Sequence, residues 1–276
     1  MLRLLGADFS RLFRNRLFYI LIAAMFAFGV MIPVAHYVGN VNDSYGWSSD
    51  SGFFTYIAVL PIVSSLLTAL FVGCGYSDGT LRNKVVVGHG RVSIYLSNMV
   101  VCIVAASILG LAYIVPFFTL GSMLLEASTV YLAVLGAFVL VGFALTCAFV
   151  AVFTLVSMLC GSKAYSVAIC ILIAFALLFA GVAMNSALNE PEFYDAYSVT
   201  TNGETYTEET SRNPNYLSGT KRKVYEFMYD FVPGGQSVQL VSMTAGNLWI
   251  LALYDLVIVV ASTYAGVALF SRKDLK

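Results

Sequence analysis

The sequence predicts an all-α membrane protein: six transmembrane helices, an N-terminal amphipathic elbow helix, a short cytoplasmic helix between spans 2 and 3, and a small extracellular segment between spans 5 and 6. Three observations carry this. First, 59% of the residues are hydrophobic and 11% charged, with a mean hydropathy of +0.84, whereas soluble domains sit near roughly 45–50% apolar. Second, six runs reach the roughly 20 apolar residues that a helix needs to cross a bilayer core. Third, basic residues fall in alternate loops.

In chain order, residues 2–16 place Leu5, Phe9, Leu12 and Phe13 on one helical face and Arg3, Arg11 and Arg14 on another. That pattern suits a helix lying in the interface, its basic face toward an anionic cytoplasmic leaflet. The spans follow at 17–38, 53–74, 98–120, 129–160, 164–184 and 247–270. The first is too long for the apolar core of a signal peptide and lacks a small-residue cleavage site, so it reads as a retained span. The fourth is long for one span and short for two, and reads as one tilted helix extending past the hydrocarbon. Pro33, Pro61 and Pro116 fall within spans and are expected to kink them or mark their ends. Gly136, Gly142 and Gly181 offer points of close helix approach.

The positive-inside rule sets the orientation. Arg3, Arg11, Arg14 and Arg16 precede span 1. Arg82, Lys84 and Arg91 lie between spans 2 and 3, Lys163 between spans 4 and 5, and Arg272, Lys273 and Lys276 follow span 6. The loops at 39–52 and 121–128 carry Asp43, Asp50 and Glu126 and no Lys or Arg. Both termini and residues 75–97 are therefore expected in the cytoplasm of a plasma-membrane protein. The chain divides into residues 1–184, an extracellular segment at 185–246 and residues 247–276, one transmembrane domain overall. Within 185–246, Asn202-Gly203 centres a hairpin pattern. Val224, Phe227, Met228 and Phe231 then share a helix face that Pro233-Gly234-Gly235 is expected to end.

Several chemistries lack their residues. The formal net charge is zero and no stretch has the basic density of a nucleic-acid contact. There is no G-x-x-x-x-G-K-[ST], H-E-x-x-H or G-x-S-x-G, and His36 and His89 fall on opposite membrane sides. No catalytic residue or metal ligand is indicated, so the chain reads as non-enzymatic. Cys74, Cys102, Cys147, Cys160 and Cys170 lie in or beside apolar runs, as buried thiols do. One ionisable residue sits well inside a span: Asp255. A carboxylate there is costly unless paired, protonated or hydrated. Two readings stay open, a polar contact on a translocation path or subunit interface, and a hydrogen bond that packs span 6 on a neighbour.

Between spans 2 and 3 lies DGTLRNKVVVGHGRVSIYLSN, residues 78–98. Leu81, Val85 and Val86 form an apolar edge with Arg82, Asn83 and Lys84 expected exposed around it, and Gly88 and Gly90 end the short helix. The run Asp78-Gly79-Thr80-Leu81-Arg82-Asn83-Lys84, with Gly88 and Arg91 as Gly-x-x-Arg and Tyr95 beyond, resembles the stretch after the second span of ABC-2-type permeases, the membrane subunits of a class of ABC exporters. FVPGGQSVQL at 231–240 is similar to that family's Pro-x-Gly-Gln stretch before span 6, and the layout as a whole resembles the family's.

The resemblance implies a transport subunit with no ATPase motif of its own and no cofactor bound by this chain, ATP and Mg being held by the partner. Two permeases, identical or related, would pair with two cytoplasmic ATPases. Residues 78–90 would form the coupling helix, with Asp78, Arg82, Lys84 and Arg91 making docking contacts. Apolar spans fit a hydrophobic or amphipathic cargo, and such permeases often resemble exporters of peptides, toxins or antimicrobials, with lipid or drug export as the near alternative. A secondary transporter or channel would call for more mid-membrane charge and inverted repeats.

Overall fold

The computed structural model describes residues 1–43, 46–128, 130–194, 197–201, 204–208 and 210–273. Helix α1 (Leu2–Phe13) comes first, followed by α2 (Arg16–Asp43). Asn15 makes the corner between them, its Oδ1 accepting from the Leu17 amide at 3.0 Å. A 3₁₀ turn at Phe53–Thr55 enters α3 (Tyr56–Ser77). The chain continues through α4 (Thr80–Val86), α5 (Arg91–Leu124), α6 (Leu132–Cys160) and α7 (Lys163–Leu188). Four short strands follow: β1 (Phe193–Tyr194), β2 (Tyr197–Thr201), β3 (Glu204–Glu208) and β4 (Ser211–Arg212). Then come α8 (Gly219–Phe231), α9 (Pro233–Val241) and α10 (Leu248–Arg272).

Helices α2, α3, α5, α6, α7 and α10 are each long and apolar enough to cross a membrane. Six crossings return the last span to the end of the bundle where the first began, so α1 and Lys273 share one end, the terminal end. The main packing pairs are α10 on α6, α2 on α5, and α3 on α7 and α6. Helices α3, α5 and α6 are 61, 50 and 56% buried across their apolar windows, against 28, 22 and 17% for α2, α7 and α10. The first three therefore form the centre and the others the rim. An aromatic run of Phe28, Tyr56, Tyr113, Phe117 and Phe53 ties the centre together at the end opposite the termini. All five cysteines are free thiols.

Three local features sharpen the sequence reading. The third membrane helix begins at Arg91, because RVSIYLSN continues without a break into the apolar run. Pro33, Pro61 and Pro116 lie inside α2, α3 and α5, which run on past them. Pro233 does not simply end the preceding helix. It opens α9, at the first helical position, where its missing N–H costs nothing. The two glycines after it are needed for contact. A Cβ at Gly234 would overlap the Leu177 carbonyl, and one at Gly181 would overlap Gly234 itself, so α9 lies backbone to backbone against α7.

Strand β2 pairs antiparallel with β3, Thr201 opposite Glu204. The expected turn, Asn202-Gly203, lies outside the described residues, as do Asp274, Leu275 and Lys276. On α8 the apolar face of Val224, Phe227 and Met228 is largely exposed, although the Phe227 and Phe231 rings meet Tyr254 of α10 edge-on.

Candidate functional site

The site is built where the chain turns from α3 to α5 at the terminal end. Asp78 follows the end of α3, and Gly79, at φ +68°, reverses the chain in a left-handed conformation that glycine adopts without steric cost. Thr80 opens α4, its hydroxyl donating back to the Gly75 carbonyl at 3.1 Å. Gly88, at φ +96°, ends the segment. Because residues three and four apart share a helix face, Leu81, Lys84 and Val85 turn toward the bundle. Arg82, Asn83 and Val86 turn away. Leu81 is buried, whereas Val86 and Val87 are 77 and 78% exposed.

The inner face of α4 is clasped by α1. Lys84 Nζ lies 2.5 Å from Asp8 Oδ1, with the side chains 13 and 2% exposed. Ser97 of α5 donates to the other oxygen of Asp8 at 2.7 Å. One turn along α1, Arg11 donates to Thr80 Oγ1 at 3.2 Å, to the Phe71 carbonyl at 3.2 Å and to Asn98 Oδ1 at 3.3 Å. Its guanidinium also lies 3.9 Å from the Phe71 ring centroid. Helices α1, α3, α4 and α5 thus share one polar network with few solvent contacts. Burial pulls the Lys84 ammonium below its ordinary lysine value. The hydrogen bond and charge of Asp8 oppose that shift, and Arg11 adds slightly to it.

Two expectations change here. Lys84 was expected exposed with Arg82 and Asn83, yet it points inward, while Val86, expected on the apolar edge, points out. The partner responsible is Asp8, which attracts Lys84 into a buried ion pair that α4 can satisfy only by rotating Val86 to the outside. Arg11 was expected on a basic face toward lipid headgroups with Arg3 and Arg14. Those two are exposed, but Arg11 serves the clasp. The face of α1 that meets the bundle is Leu4, Asp8 and Leu12.

A second network closes the other flank. Arg91, at the start of α5, donates to the carbonyls of Phe270, at 3.3 Å, and Lys273. Lys273 Nζ in turn donates to the Met158 and Leu159 carbonyls at 3.1 and 2.9 Å and to Tyr76 Oη at 3.2 Å. Tyr76 also donates to the Met158 carbonyl. A cation thus caps the C-terminal carbonyls of α6, where the helix dipole favours positive charge. Between α1 and α3 a cavity of about 480 Å³ opens beside Ser10, Arg11, Arg14, Phe71 and Asp78.

Of the residues singled out in the sequence, Thr80, Leu81, Lys84 and Arg11 come together in one network. Arg91 anchors the second, and Gly79 and Gly88 shape the turns. Asp78, Arg82 and Asn83 remain exposed. Asp255 belongs elsewhere, buried in α10. Sequence reasoning missed Asp8, Ser97, Asn98, Tyr76 and Lys273 as site residues. Asp8 carried a signal: it is the only acid among the first 42 residues and stands four residues from both Leu4 and Leu12. Physically, α4 is a short helix with one free face, its other face fixed to α1, α3 and α5 by groups that are costly to separate. Neither family models nor curated proteins gave a match to this chain.

Proposed function

We propose that this chain is the permease subunit of an ATP-driven exporter of the ABC-2 type, with α4 as the coupling helix that docks on a cytoplasmic ATPase. The observation that carries the reading is the two-faced α4. It presents Arg82, Asn83, Val86 and Val87 outward while Lys84, Thr80 and Leu81 bind it to the bundle. A small apolar knob beside a cation, projecting between two spans, suits a groove on another protein better than open water.

On this reading Asp78, Arg82 and Asn83 flank the contact, with Gly79, Thr80, Leu81 and Gly88 shaping the lever. Lys84 and Arg91 hold it from behind. Movement of the partner on ATP binding would pass through Lys84–Asp8 and Arg11–Thr80 to α1, α3 and α5, and through Arg91 to α10. ATP and Mg would stay on the ATPase. A second copy, or a related permease, would complete the path in a plasma membrane, with both termini and α4 in the cytoplasm. The cargo class that suits the apolar spans is an amphipathic peptide. A cavity of about 100 Å³ among α3, α5 and α6, walled by Leu60, Leu111, Ile114 and Phe143 and edged by Ser107 and Thr146, supports an apolar path. Lipid or drug export is the near alternative.

The test is co-purification with an ATPase bearing a Walker motif from membranes of the source cell. Arg82→Glu combined with Val86→Glu should abolish the association and ATP-dependent export, whereas Arg3→Glu should leave both intact. Unchanged association in the α4 variant would sink the reading.

A further inference from the structure

Helix α9 is wedged among α7, α6 and α3, and one of its side chains reaches toward the last span. Gln236 is 0% exposed and faces Asp255 of α10, itself 1% exposed. Neither oxygen of Asp255 and neither polar atom of Gln236 has a hydrogen-bond partner within bonding geometry. The other polar side chains of α9 are occupied locally. Gln239 donates to Asp230 Oδ1 and the Tyr229 carbonyl, and Ser237 to the Pro233 carbonyl.

Charge does not explain the carboxyl. Among the described residues no Lys, Arg or His forms an ion pair with Asp255. The titratable group facing it from α6 is Cys147. Helix α8 meets α10 through the Phe227 and Phe231 rings on Tyr254. Helix α5 meets it through Met99, against Thr263, and through Tyr95 near Ser262.

The donor and acceptor inventory then decides between two states. An ionised carboxylate only accepts, so it can take a hydrogen bond from Gln236 Nε2 but leaves Gln236 Oε1 unpaired beside a buried anion. A neutral carboxylic acid donates its O–H to Oε1 while its carbonyl accepts from Nε2. That reciprocal pair engages all four unpartnered atoms, and it avoids burying an unpaired ion. We infer that Asp255 is a proton-binding site: as the neutral acid it closes a reciprocal hydrogen-bonded pair with Gln236 that latches α9 to α10, and loss of the proton opens the latch. The ligand is the proton itself, and the element it holds is the buried helix before the last span.

Two measurements on the full chain in lipid nanodiscs test this. Dicyclohexylcarbodiimide, an apolar reagent, takes up the carboxyl proton on nitrogen while the carboxylate adds to its central carbon. The acyl group then migrates to nitrogen as a stable N-acylurea, read by peptide mass spectrometry. Labelling at Asp255 should fall at least about tenfold between pH 6 and pH 10 and vanish in Asp255→Asn. Amide exchange over residues 233–241, corrected for intrinsic pH dependence, should speed up with rising pH in the wild type. It should be independent of pH in Asp255→Asn, whose carboxamide still pairs reciprocally with Gln236. Absence of labelling at pH 6, labelling independent of pH and blocked by sodium ion, or wild-type exchange with no pH dependence would each overturn the inference. None of these outcomes bears on ATPase docking, which stands or falls separately.

Discussion

The clasp between α1 and α4 makes a quantitative demand. Replacing Lys84 with Met leaves the Asp8 carboxylate, 2% exposed, with the Ser97 hydroxyl as its remaining hydrogen-bond partner. Breaking a buried ion pair from one side costs about 3–5 kcal/mol, because the survivor stays charged and desolvated. The reverse change, Asp8→Leu, should be milder, at about 2–3 kcal/mol, since Lys84 is 13% exposed and its flexible stem can carry the ammonium to water. Removing both charges in Asp8→Leu/Lys84→Met leaves no stranded ion and should fall within about 2 kcal/mol of the wild type. The assay is reversible unfolding in mixed micelles, titrated with dodecyl sulfate and followed by circular dichroism. The prediction is that the double variant is more stable than Lys84→Met alone. If the two single losses simply add, the buried-pair argument is wrong.

Other outcomes follow from the same geometry. Burial lowers the proton affinity of Lys84 in the folded chain. The unfolded chain therefore binds more protons between that lowered value and 10.5, and Lys84 should make stability rise with pH across that window. Lys84→Met should remove this slope when wild type and variant are compared at matched pH. Gly234→Ala places a Cβ on the Leu177 carbonyl and should displace α9, detected as lost amide protection over 233–241. Gly79→Ala meets open space at φ +68° and should cost only about 1 kcal/mol in unfolding titrations.

Much of the fold was legible because apolar length is a property of the chain itself. The six long helices, the separate short helix after span 2 and the single long α6 all follow from runs that no tertiary contact needs to rescue. The clasp was not legible in the same way. Lys84 looked solvent-facing because helical periodicity assigns a face without saying which neighbour covers it, and Asp8 lies 76 positions away in sequence. Nothing local marks Ser97 or Asn98, polar residues at the start of a membrane helix, as acceptor or donor for α1. At Pro233 the sequence told half: α8 does end before it, but the same residue, at a first helical position, also initiates α9, and the purpose of Gly234 emerges only against Gly181 on α7. Asp255 stood out in the sequence as a buried acid, but Gln236, the residue that faces it, sits in a segment expected to lie outside the span region.

The most direct test of the account is to place a photo-reactive amino acid at position 86, on the outward face of α4, and crosslink in intact cells. The account predicts a crosslink to a protein carrying a G-x-x-x-x-G-K-[ST] phosphate-binding loop, with its yield changed by trapping ATP hydrolysis and lost on Arg82→Glu. Crosslinks confined to phospholipid would contradict it, because α4 would then be a helix lying on the membrane rather than a lever held out to an ATPase.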